Sequence, residues 1–354
     1  MSASSSLTVK VVTYNILSPA CAGPERFPRC SLDELSAERR RDRVIEGPLT
    51  CAVKSGAVVA LQEVPWVWVR SLHVFFAGVG YFFAHSQERG ESSGFMGVGL
   101  AWPLETFMCA ALEMCRLSET KTTPWPVPVF EPRGLKRTES SGGCRDGGRS
   151  SGVVPTRARA DAEFRPWVEA ERFEHCIVLA RLRHVWGGWE FCVATYHMPC
   201  LFGAREHMWV MNIHASLAAQ KLLAFSTHRP CVLMGDFNFK PWDSPYLLLT
   251  HGRLDADHPE HPAPAGCDTW RVSPLPKCFS SAYKEMLGKE PRFTTYKAKS
   301  RGSFMATLDY IFTWGFRVVD VDVPPHEREF PRGLPCGSQG SDHVPIGAVL
   351  EVCE

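Results

Sequence analysis

Short runs of apolar and β-branched residues recur along the chain, separated by segments rich in glycine, proline and polar residues. Residues 9–16 and 57–62 are the first two such runs. Runs of this length, bounded by glycine or proline, are typical of strands buried on both faces. The same pattern predicts further strands at residues 95–102, 176–182, 191–196, 231–234, 307–312 and 344–349.

A helical period replaces this pattern between residues 205 and 228. Val210, Ile213, Leu217 and Ala224 recur there at steps of three, four and seven residues, which predicts an amphipathic helix. Many buried strands with few helices predict an α/β fold. In such a fold two sheets pack face to face and the helices lie outside them.

A capping signal marks an earlier helix. Ser31 and Glu34 have the spacing of a capping box, in which each residue satisfies a backbone N–H of the first helical turn. The signal predicts a helix that runs to about Glu46, where a Gly-Pro pair ends it. A short second helix is expected before residue 57.

Composition places the chain among ordinary globular proteins. It has 354 residues, of which 45% are hydrophobic and 22% charged, and its formal net charge is +1. This near-zero charge argues against indiscriminate coating of nucleic acid, which depends on many Lys and Arg contacts to phosphates. We expect a single domain over residues 8–354.

One segment differs from the rest. Residues 131–165 are rich in Gly, Ser and Arg, which predicts a mobile insertion inside the domain. Two interpretations stay open, a solvated surface loop and a basic flap that helps to hold a polyanion.

The cysteines and the hydropathy indicate a reducing compartment. The 14 cysteines are scattered without a Cys-x-x-Cys pair, which favours free thiols over a disulfide framework. No secretory leader is recognisable at the N-terminus, and the most apolar stretch, residues 57–69, is too short to span a bilayer. We therefore expect a cytoplasmic protein, with the nucleus as the alternative, and neither secretion nor a membrane span.

Several apolar runs end in a side chain that can bind a metal ion or a phosphate. Because a buried strand delivers such a side chain to the rim of a sheet, these residues are expected to form one active site. Six short strings carry them: Asn15, Glu63, His197, Asp236 with Asn238, Asp309, and Asp342 with His343.

Hydrolysis of a phosphodiester requires a metal ion, an aligned water and stabilisation of the developing charge. Glu63 ends an apolar strand, and a cation would explain a carboxylate there, although an exposed or Arg-paired Glu is the simpler alternative. Asn15 offers an amide oxygen nearby or acts only as a turn former. Asp236 and Asn238, two residues apart, can hold one water or phosphate oxygen between them, or form an ordinary turn.

Asp309 and His343 provide the remaining chemistry. A carboxylate on one imidazole nitrogen raises the basicity of histidine, so that the other nitrogen can face a phosphate while protonated. Asp342 can reach a metal ion from a turn, and His197 is a second phosphate-facing group. With 13 histidines in the chain, either one alone is more often structural. No serine-hydrolase elbow, zinc-protease motif, Walker loop or dinucleotide fingerprint is present.

The order and wording of these strings resemble the endonuclease/exonuclease/phosphatase superfamily. The strings at residues 13–17, 61–64, 235–248, 293–296, 307–312 and 341–343 are particularly similar to its deadenylase and nocturnin-like branch. The resemblance implies a four-layer α/β sandwich of two mixed sheets flanked by helices. It also implies Mg²⁺ as the metal ion, with Mn²⁺ as the alternative.

The resemblance further implies a role for each matching residue. Glu63 is the expected principal metal ligand, with Asn15 nearby and Asp342 as a further carboxylate on the metal side. The phosphate side is expected to consist of Asp236 with Asn238, which orient the water and the phosphate, the pair of Asp309 and His343, and His197. Two departures are Arg172 with His175, where relatives often have Arg and Asn, and an unusual string after Tyr196.

The expected function is Mg²⁺-dependent hydrolysis of single-stranded RNA by a 3′ exonuclease of the deadenylase type. A phosphatase or phosphodiesterase for a small nucleotide or a phospholipid headgroup is the first alternative. A catalytically silent interaction module on the same scaffold is the second.

Overall fold

The computed structural model describes residues 7–90, 94–121, 166–255, 257–262 and 275–353. The insertion predicted at residues 131–165 lies outside the described residues. The expectation of one domain over residues 8–354 accordingly stays a prediction. Among the described helices, none combines the length and the apolar composition needed to cross a bilayer.

The strands follow the apolar runs of the sequence. In chain order they are β1 (Thr8–Asn15), β2 (Val58–Pro65), β3 (Tyr81–His85), β4 (Glu88–Gly90), β5 (Gly94–Pro103), β6 (Phe107–Arg116), β7 (Cys176–His184), β8 (Glu190–His197), β9 (Cys231–Asp236), β10 (Ser280–Ser281), β11 (Thr295–Ala298), β12 (Ser303–Ala306), β13 (Asp309–Trp314), β14 (Phe316–Val321) and β15 (Ile346–Val352).

The helices lie between the strands, with short turns beside them. They are α1 (Leu32–Leu35), α2 (Ala37–Val44), α3 (Thr50–Lys54), α4 (Trp66–Gly78), α5 (Pro166–Arg172), α6 (Arg205–Ser226), α7 (Ser244–His251) and α8 (Ala282–Leu287). A π-helical turn covers Ile45–Leu49, and 3₁₀ turns cover Pro19–Cys21, Leu117–Thr120 and Glu327–Glu329.

Two mixed sheets form the centre of the molecule. The first has the order β14-β15-β1-β2-β5-β3, with β4 also paired to β5, and the second has the order β10-β13-β9-β8-β7-β6. In each sheet one central pair is parallel, β1 with β2 and β8 with β9, and the other pairs are antiparallel. The carboxyl ends of each parallel pair meet at one edge of their sheet, and this arrangement positions the site.

Alternation along the strands explains why the runs are apolar throughout. Val9 and Val11 of β1 pack between the two sheets, whereas Val12 and Tyr14 pack beneath the outer helices of the first sheet. Successive side chains of a strand point to opposite faces, so a strand covered on both faces requires apolar residues at every position. The predicted sandwich with helices outside is confirmed.

The helical region after Ser31 differs from the prediction. The capping box of Ser31 and Glu34 is present, but α1 ends after one turn and Ser36 caps a new helix, α2. The predicted end at the Gly-Pro pair is wrong. Pro48 lacks the N–H that an α-helix needs, and the wider π turn keeps the chain helical into α3.

The helix predicted for residues 205–228 is confirmed as α6. Val210, Ile213 and Leu217 are buried as expected. Ala224 is exposed, and Leu222 occupies the buried face in that turn.

Glu88 joins the two sheets and gives a prediction about pH. Its buried carboxylate accepts a hydrogen bond from the backbone N–H of Cys176 at 2.5 Å, and burial raises the pKa of Glu88 to about 8. The folded protein therefore retains a proton there that the unfolded chain loses near its ordinary pKa. We expect the free energy of unfolding to fall as the pH rises from about 4.5 to about 8, by a few kcal/mol at most.

Chemical denaturation at a series of pH values measures this dependence. In the variant Glu88→Gln, which cannot ionise, the decline should be smaller than in the wild type. Equal slopes for the two proteins over that range would show that Glu88 does not titrate as described.

Candidate active site

The predicted site residues meet at the edge where the two parallel pairs end. Asn15 is the last residue of β1 and Glu63 lies near the end of β2, while His197 and Asp236 end β8 and β9 of the other sheet. Asp309 begins β13 directly opposite Asp236 in the antiparallel register. The structure thus brings residues from both sheets to one place.

Asn15 connects the two sheets at this edge. Its side-chain nitrogen donates to Oε1 of Glu63 at 3.1 Å and to Oδ2 of Asp236 at 2.9 Å. Both carboxylates therefore contact one amide group. Its side-chain oxygen accepts from the backbone N–H of Leu17. In this arrangement the nitrogen of Asn15, and not its oxygen, faces the acidic groups.

The backbone of Glu63 has an unusual conformation. Its φ is +54°, and the pairing between β2 and β5 shifts register between Leu61 and Val64. A bulge of this kind redirects a side chain and is frequent beside functional sites. Oε2 of Glu63 accepts from the backbone N–H of Ser18 at 2.8 Å, which fixes the carboxylate at the edge.

Asp236 and Asn238 belong to a tight loop after β9. Oδ1 of Asp236 accepts from the backbone N–H of Asn238 at 3.0 Å, and Asn238 has φ +52°. Gly235 has φ +154°, and a Cβ atom on it would lie 1.9 Å from the carbonyl oxygen of Tyr196. Only glycine fits this close approach to β8, which accounts for the Gly-Asp-Phe-Asn string.

Asp309 and His343 form a buried pair. Oδ2 of Asp309 lies 2.7 Å from Nδ1 of His343, and Nε2 of that imidazole lies 3.7 Å from Oδ2 of Asp236. Burial alone would lower the pKa of His343, but the carboxylates of Asp309 and Asp236 outweigh it and raise that pKa to about 10. His343 is accordingly an imidazolium at neutral pH, held between two acids.

The pKa of Asp236 is also raised, but here burial acts in the raising direction. Burial and the neighbouring Asp309 raise the pKa of Asp236 to about 6, although His343 and His197 act to lower it. Nε2 of His197 lies 3.7 Å from Oδ2 of Asp236 and 3.2 Å from the side-chain nitrogen of Asn238. Asn238 is itself held by the carbonyl of Met198. The groups at this edge are thus positioned by one another.

Lys297 is a site residue that the sequence reasoning missed. Its ammonium contacts Oδ2 of Asp342 at 3.0 Å, and the charges of Asp342 and Glu63 raise the pKa of Lys297 against the effect of burial. The ammonium of Lys297 and the imidazolium of His343 in turn hold the pKa of Asp342 below its usual range, although burial opposes them. Lys297 directly follows the noted string at residues 293–296, but no spacing distinguishes it.

Arg40 and Gln62 form buried hydrogen bonds to residues next to the site. Arg40 is fully buried and donates to the backbone carbonyls of Leu17 and Gly340, while Gln62 donates to Thr13 in its own sheet and to Thr195 in the other. Neither residue was predicted. Gln62 precedes Glu63 in the noted string, whereas nothing in the sequence around Arg40 indicates its burial.

The acidic groups fit a divalent cation. Oδ1 of Asp309 and Oδ1 of Asp342 are buried without a hydrogen-bond partner in the described part of the chain. Hard carboxylate oxygens are the ligands that Mg²⁺ prefers. The ligand atoms of Asp236, Asp309 and His343 lie within 4.8 Å of one another. Nδ1 of His343 contacts Asp309, which leaves Nε2 as the ring nitrogen that faces Asp236.

Fold and site together define a class of hydrolase, and a comparison with family models agrees. The chain belongs to the Endonuclease/Exonuclease/phosphatase family, whose model matches residues 12–343. Membership indicates hydrolysis of phosphoesters, and enzymes of this family generally depend on divalent metal ions.

Individual relatives extend this assignment. Nocturnin of Drosophila melanogaster is 26% identical over 192 residues, which are 49% of this chain and 27% of that protein. The chain thus spans well under half of that relative. A structure of ANGEL2, a 2′,3′-cyclic phosphatase, with adenosine-2′,3′-vanadate has a TM-score of 0.70 at 15% identity, covering 99% of this chain and 97% of that one. The human Nocturnin catalytic domain with bound sulfate has a TM-score of 0.59 at 16% identity, covering 98% and 95%.

The comparisons confirm the predicted family, its fold and the resemblance to the nocturnin-like branch. The roles of the site residues stay predictions. At the departure after α5, Arg172 pairs with Glu169 on the surface. His175 is half-buried with its ring perpendicular to that of His197 at 6.1 Å, and desolvation lowers the pKa of His175 well below its usual value.

Proposed function

We propose that this protein hydrolyses phosphodiester bonds of single-stranded RNA, as a 3′ exonuclease of the deadenylase type. One observation carries the proposal. Asp236 accepts hydrogen bonds from Asn15 and Asn238 and lies beside both His197 and His343, so residues of both sheets act on the same small volume.

Each residue then has a defined task. The Asp236 carboxylate, its pKa raised towards neutrality, accepts hydrogen bonds from an attacking water and orients it. His343, held protonated by Asp309, donates a hydrogen bond to a phosphate oxygen and stabilises the charge that develops there. The side chains of Asn238 and His197, which lie within hydrogen-bond distance of each other, fix a second phosphate oxygen.

A divalent metal ion would be held by Glu63 and Asp342, with Asn15 beside them. When bound, such an ion neutralises phosphate charge and polarises the water. Lys297 contributes a positive charge in contact with Asp342, and the charge of Glu63 acts on it as well. Mg²⁺ suits this set of ligands, with Mn²⁺ as the alternative.

Aromatic and basic side chains beside the site support RNA as the substrate. Phe202 follows His197 closely in the chain, and its ring packs edge-to-face on Phe304 at 6.2 Å. Lys299 lies over Phe304 at 5.5 Å. Phe304 and Lys299 belong to the β11–β12 hairpin, which also carries Lys297 into the site. Rings and cations at one rim suit stacked bases and their phosphates.

A second candidate is the removal of a phosphate from the end of an RNA or from a small nucleotide. The adenosine-2′,3′-vanadate bound to ANGEL2 favours it, because that structure covers nearly the whole of this chain. A phospholipid headgroup belongs to the same group of alternatives. All of these substrates share a phosphate that the same edge would accept.

A substrate panel with and without EDTA tests the proposal. It should contain an oligoadenylate, an RNA ending in a 2′,3′-cyclic phosphate, nicotinamide adenine dinucleotide phosphate and a phosphoinositide. We expect the oligoadenylate to be shortened fastest, with release of mononucleotides. Faster turnover of another member would replace the proposed substrate. If no phosphoester were hydrolysed and Mg²⁺ did not shift the unfolding temperature, the result would instead support the interaction module.

Metal removal gives a prediction for Glu63. EDTA should abolish hydrolysis, and Mg²⁺ should restore it. The variant Glu63→Gln should need about 10- to 100-fold more Mg²⁺ for half-maximal rate, because it loses a charged ligand but keeps its size. Titration of the rate with Mg²⁺ measures this.

Glu46→Gln, on the π turn away from the edge, is the control. An unchanged Mg²⁺ requirement in Glu63→Gln would remove Glu63 from the metal site.

A further inference from the structure

A groove of about 490 Å³ opens beside the candidate active site. Lys240, two residues after Asn238, and Thr307, two residues before Asp309, both line it. Two residues of extended chain span at most about 7 Å. The backbone of the groove wall at Lys240 and at Thr307 therefore lies within this distance of the backbone at Asn238 and Asp309.

The groove carries an excess of positive charge. Lys240, Lys284, Lys289 and Arg292 line it, against the single carboxyl group of Glu290. Within the described parts of the chain, Lys240 and Lys289 form no ion pair, whereas Arg292 pairs with Glu327 at its rim. The charge of Lys240 also acts on Asp243 and that of Lys284 on Glu290, so the attraction for an anion of several charges comes from the excess of cations over these acids.

Glu290, the one acid that lines the groove, is partly buried in its wall. Glu290 accepts a hydrogen bond from the hydroxyl of Tyr246 at 2.7 Å, and burial raises the pKa of Glu290. Burial disfavours the charged form of Glu290, whereas the hydrogen bond from Tyr246 acts the other way and occupies one of its carboxyl oxygens. The surface that a ligand meets is thus defined by the lysines.

Trp242 adds a flat apolar surface to these cations. Its side chain is 71% exposed, so that the indole is accessible to a ligand. The backbone N–H of Lys240 donates to Oδ2 of Asp243 at 2.7 Å, and that of Asp243 donates to the carbonyl of Lys240 at 3.0 Å. This closed turn fixes the backbone that carries Trp242 in the lining of the groove.

We propose that the groove binds nucleotides of a single-stranded RNA next to the scissile phosphate. Lys240 and Lys289 contact the phosphates, and a base stacks on Trp242, since every base offers a flat face to an indole. The inference rests on the proposed function, because it places the rest of the strand whose end is cleaved. A mononucleotide, with one phosphate at Asp236, has no second phosphate for these lysines.

Salt-dependent binding tests the groove without requiring catalysis. A labelled oligoadenylate of about ten nucleotides, within known site sizes, is titrated by fluorescence anisotropy against the full chain carrying Asp236→Asn, in EDTA. Each phosphate contact contributes about 0.7 to the slope of log affinity against log salt for single strands. Adding Lys240→Gln and Lys289→Gln together should lower that slope by about 1.4. Lys54→Gln, an exposed lysine of α3, is the matched control and should leave the slope unchanged.

The indole is tested with a second probe. Trp242→Ala should weaken binding of the oligoadenylate by about ten-fold, the effect of losing one stacked base. It should not weaken binding of inorganic polyphosphate, which has charge but no bases. Equal effects on the two probes, or no effect on the oligoadenylate, would show a site for anions in general and overturn the proposal.

The outcomes separate this inference from the proposed function. If the wild type shortens oligoadenylate while the lysine variants bind it like Lys54→Gln, the groove proposal is wrong and the function stands. If the wild type shortens no RNA but the groove variants lose RNA affinity as described, the function is wrong and the groove stands. Absence of oligoadenylate binding at low salt also overturns the groove.

Discussion

Replacing Asp236 by Asn should lower the rate of phosphoester hydrolysis by about 10³-fold or more, on the scale of losing a group that acts on the transition state. The substitution would keep the size of the side chain but would place an amide where a carboxylate now accepts from both Asn15 and Asn238. It would also remove the charge that faces His197 and His343. Steady-state rates on a fluorescent oligoadenylate measure the loss.

Stability separates this effect from misfolding. Burial and Asp309 make the Asp236 charge unfavourable in the folded protein, and its removal offsets the weakened hydrogen bonds. The unfolding temperature of Asp236→Asn in EDTA should thus stay close to that of the wild type. Asp255→Asn, an exposed aspartate, is the matched control for both measurements. Residual activity within ten-fold of the wild type would contradict the role given to Asp236.

The second large effect concerns Asp309 and His343, which should behave as one unit. Asp309→Asn and His343→Gln should each reduce the rate by about 10²- to 10⁴-fold, since each removes the charged imidazole or the group that holds it. The double variant should be no more than a few-fold slower than the slower single variant, because residues that act together lose their effect together. Rates of the four proteins complete a double-mutant cycle.

Additive losses would contradict this pairing. If the double variant were slower by the product of the two single effects, Asp309 and His343 would act independently despite their 2.7 Å contact. A matched pair elsewhere is Lys10 with Asp322, an exposed contact of the same length. Its variants should leave the rate unchanged.

The sequence predicted the strands that are buried on both faces and missed those that are not. β1 and β9 gave clear apolar runs because the space between the sheets and the outer helices both require apolar side chains. β6 pairs only with β7 at the edge of the second sheet, and its exposed face breaks the run. α4 was missed because its many aromatic and β-branched residues give it the composition of a strand.

The site was predicted where chemistry coincides with strand ends. Asn15, Glu63 and Asp236 could be identified because each follows a buried run, and the meeting of parallel strand ends makes them neighbours. Lys297 and Arg40 could not, because their importance depends on contacts with Asp342, Leu17 and similar groups far away in the chain. A basic residue carries no local sign of the tertiary contact that it will make.

The groove lined by Lys240 and Trp242 could not be predicted from the sequence either. Its lysines come from the loop after β9 and from the region around α8, which are separated in sequence. No window of the sequence contains them together. Only folding collects their charges on one surface, next to the edge that the apolar runs had indicated.

Under the proposed function, these side chains orient a water molecule for attack on the phosphorus atom of an RNA phosphodiester. Hydrolysis of an oligoadenylate in water enriched in heavy oxygen, followed by mass spectrometry of the products, tests it most directly. We expect a released mononucleotide with one heavy oxygen on its phosphate, and no release from Asp236→Asn. An unlabelled phosphate, or a cyclic phosphate formed by the RNA itself, would contradict it.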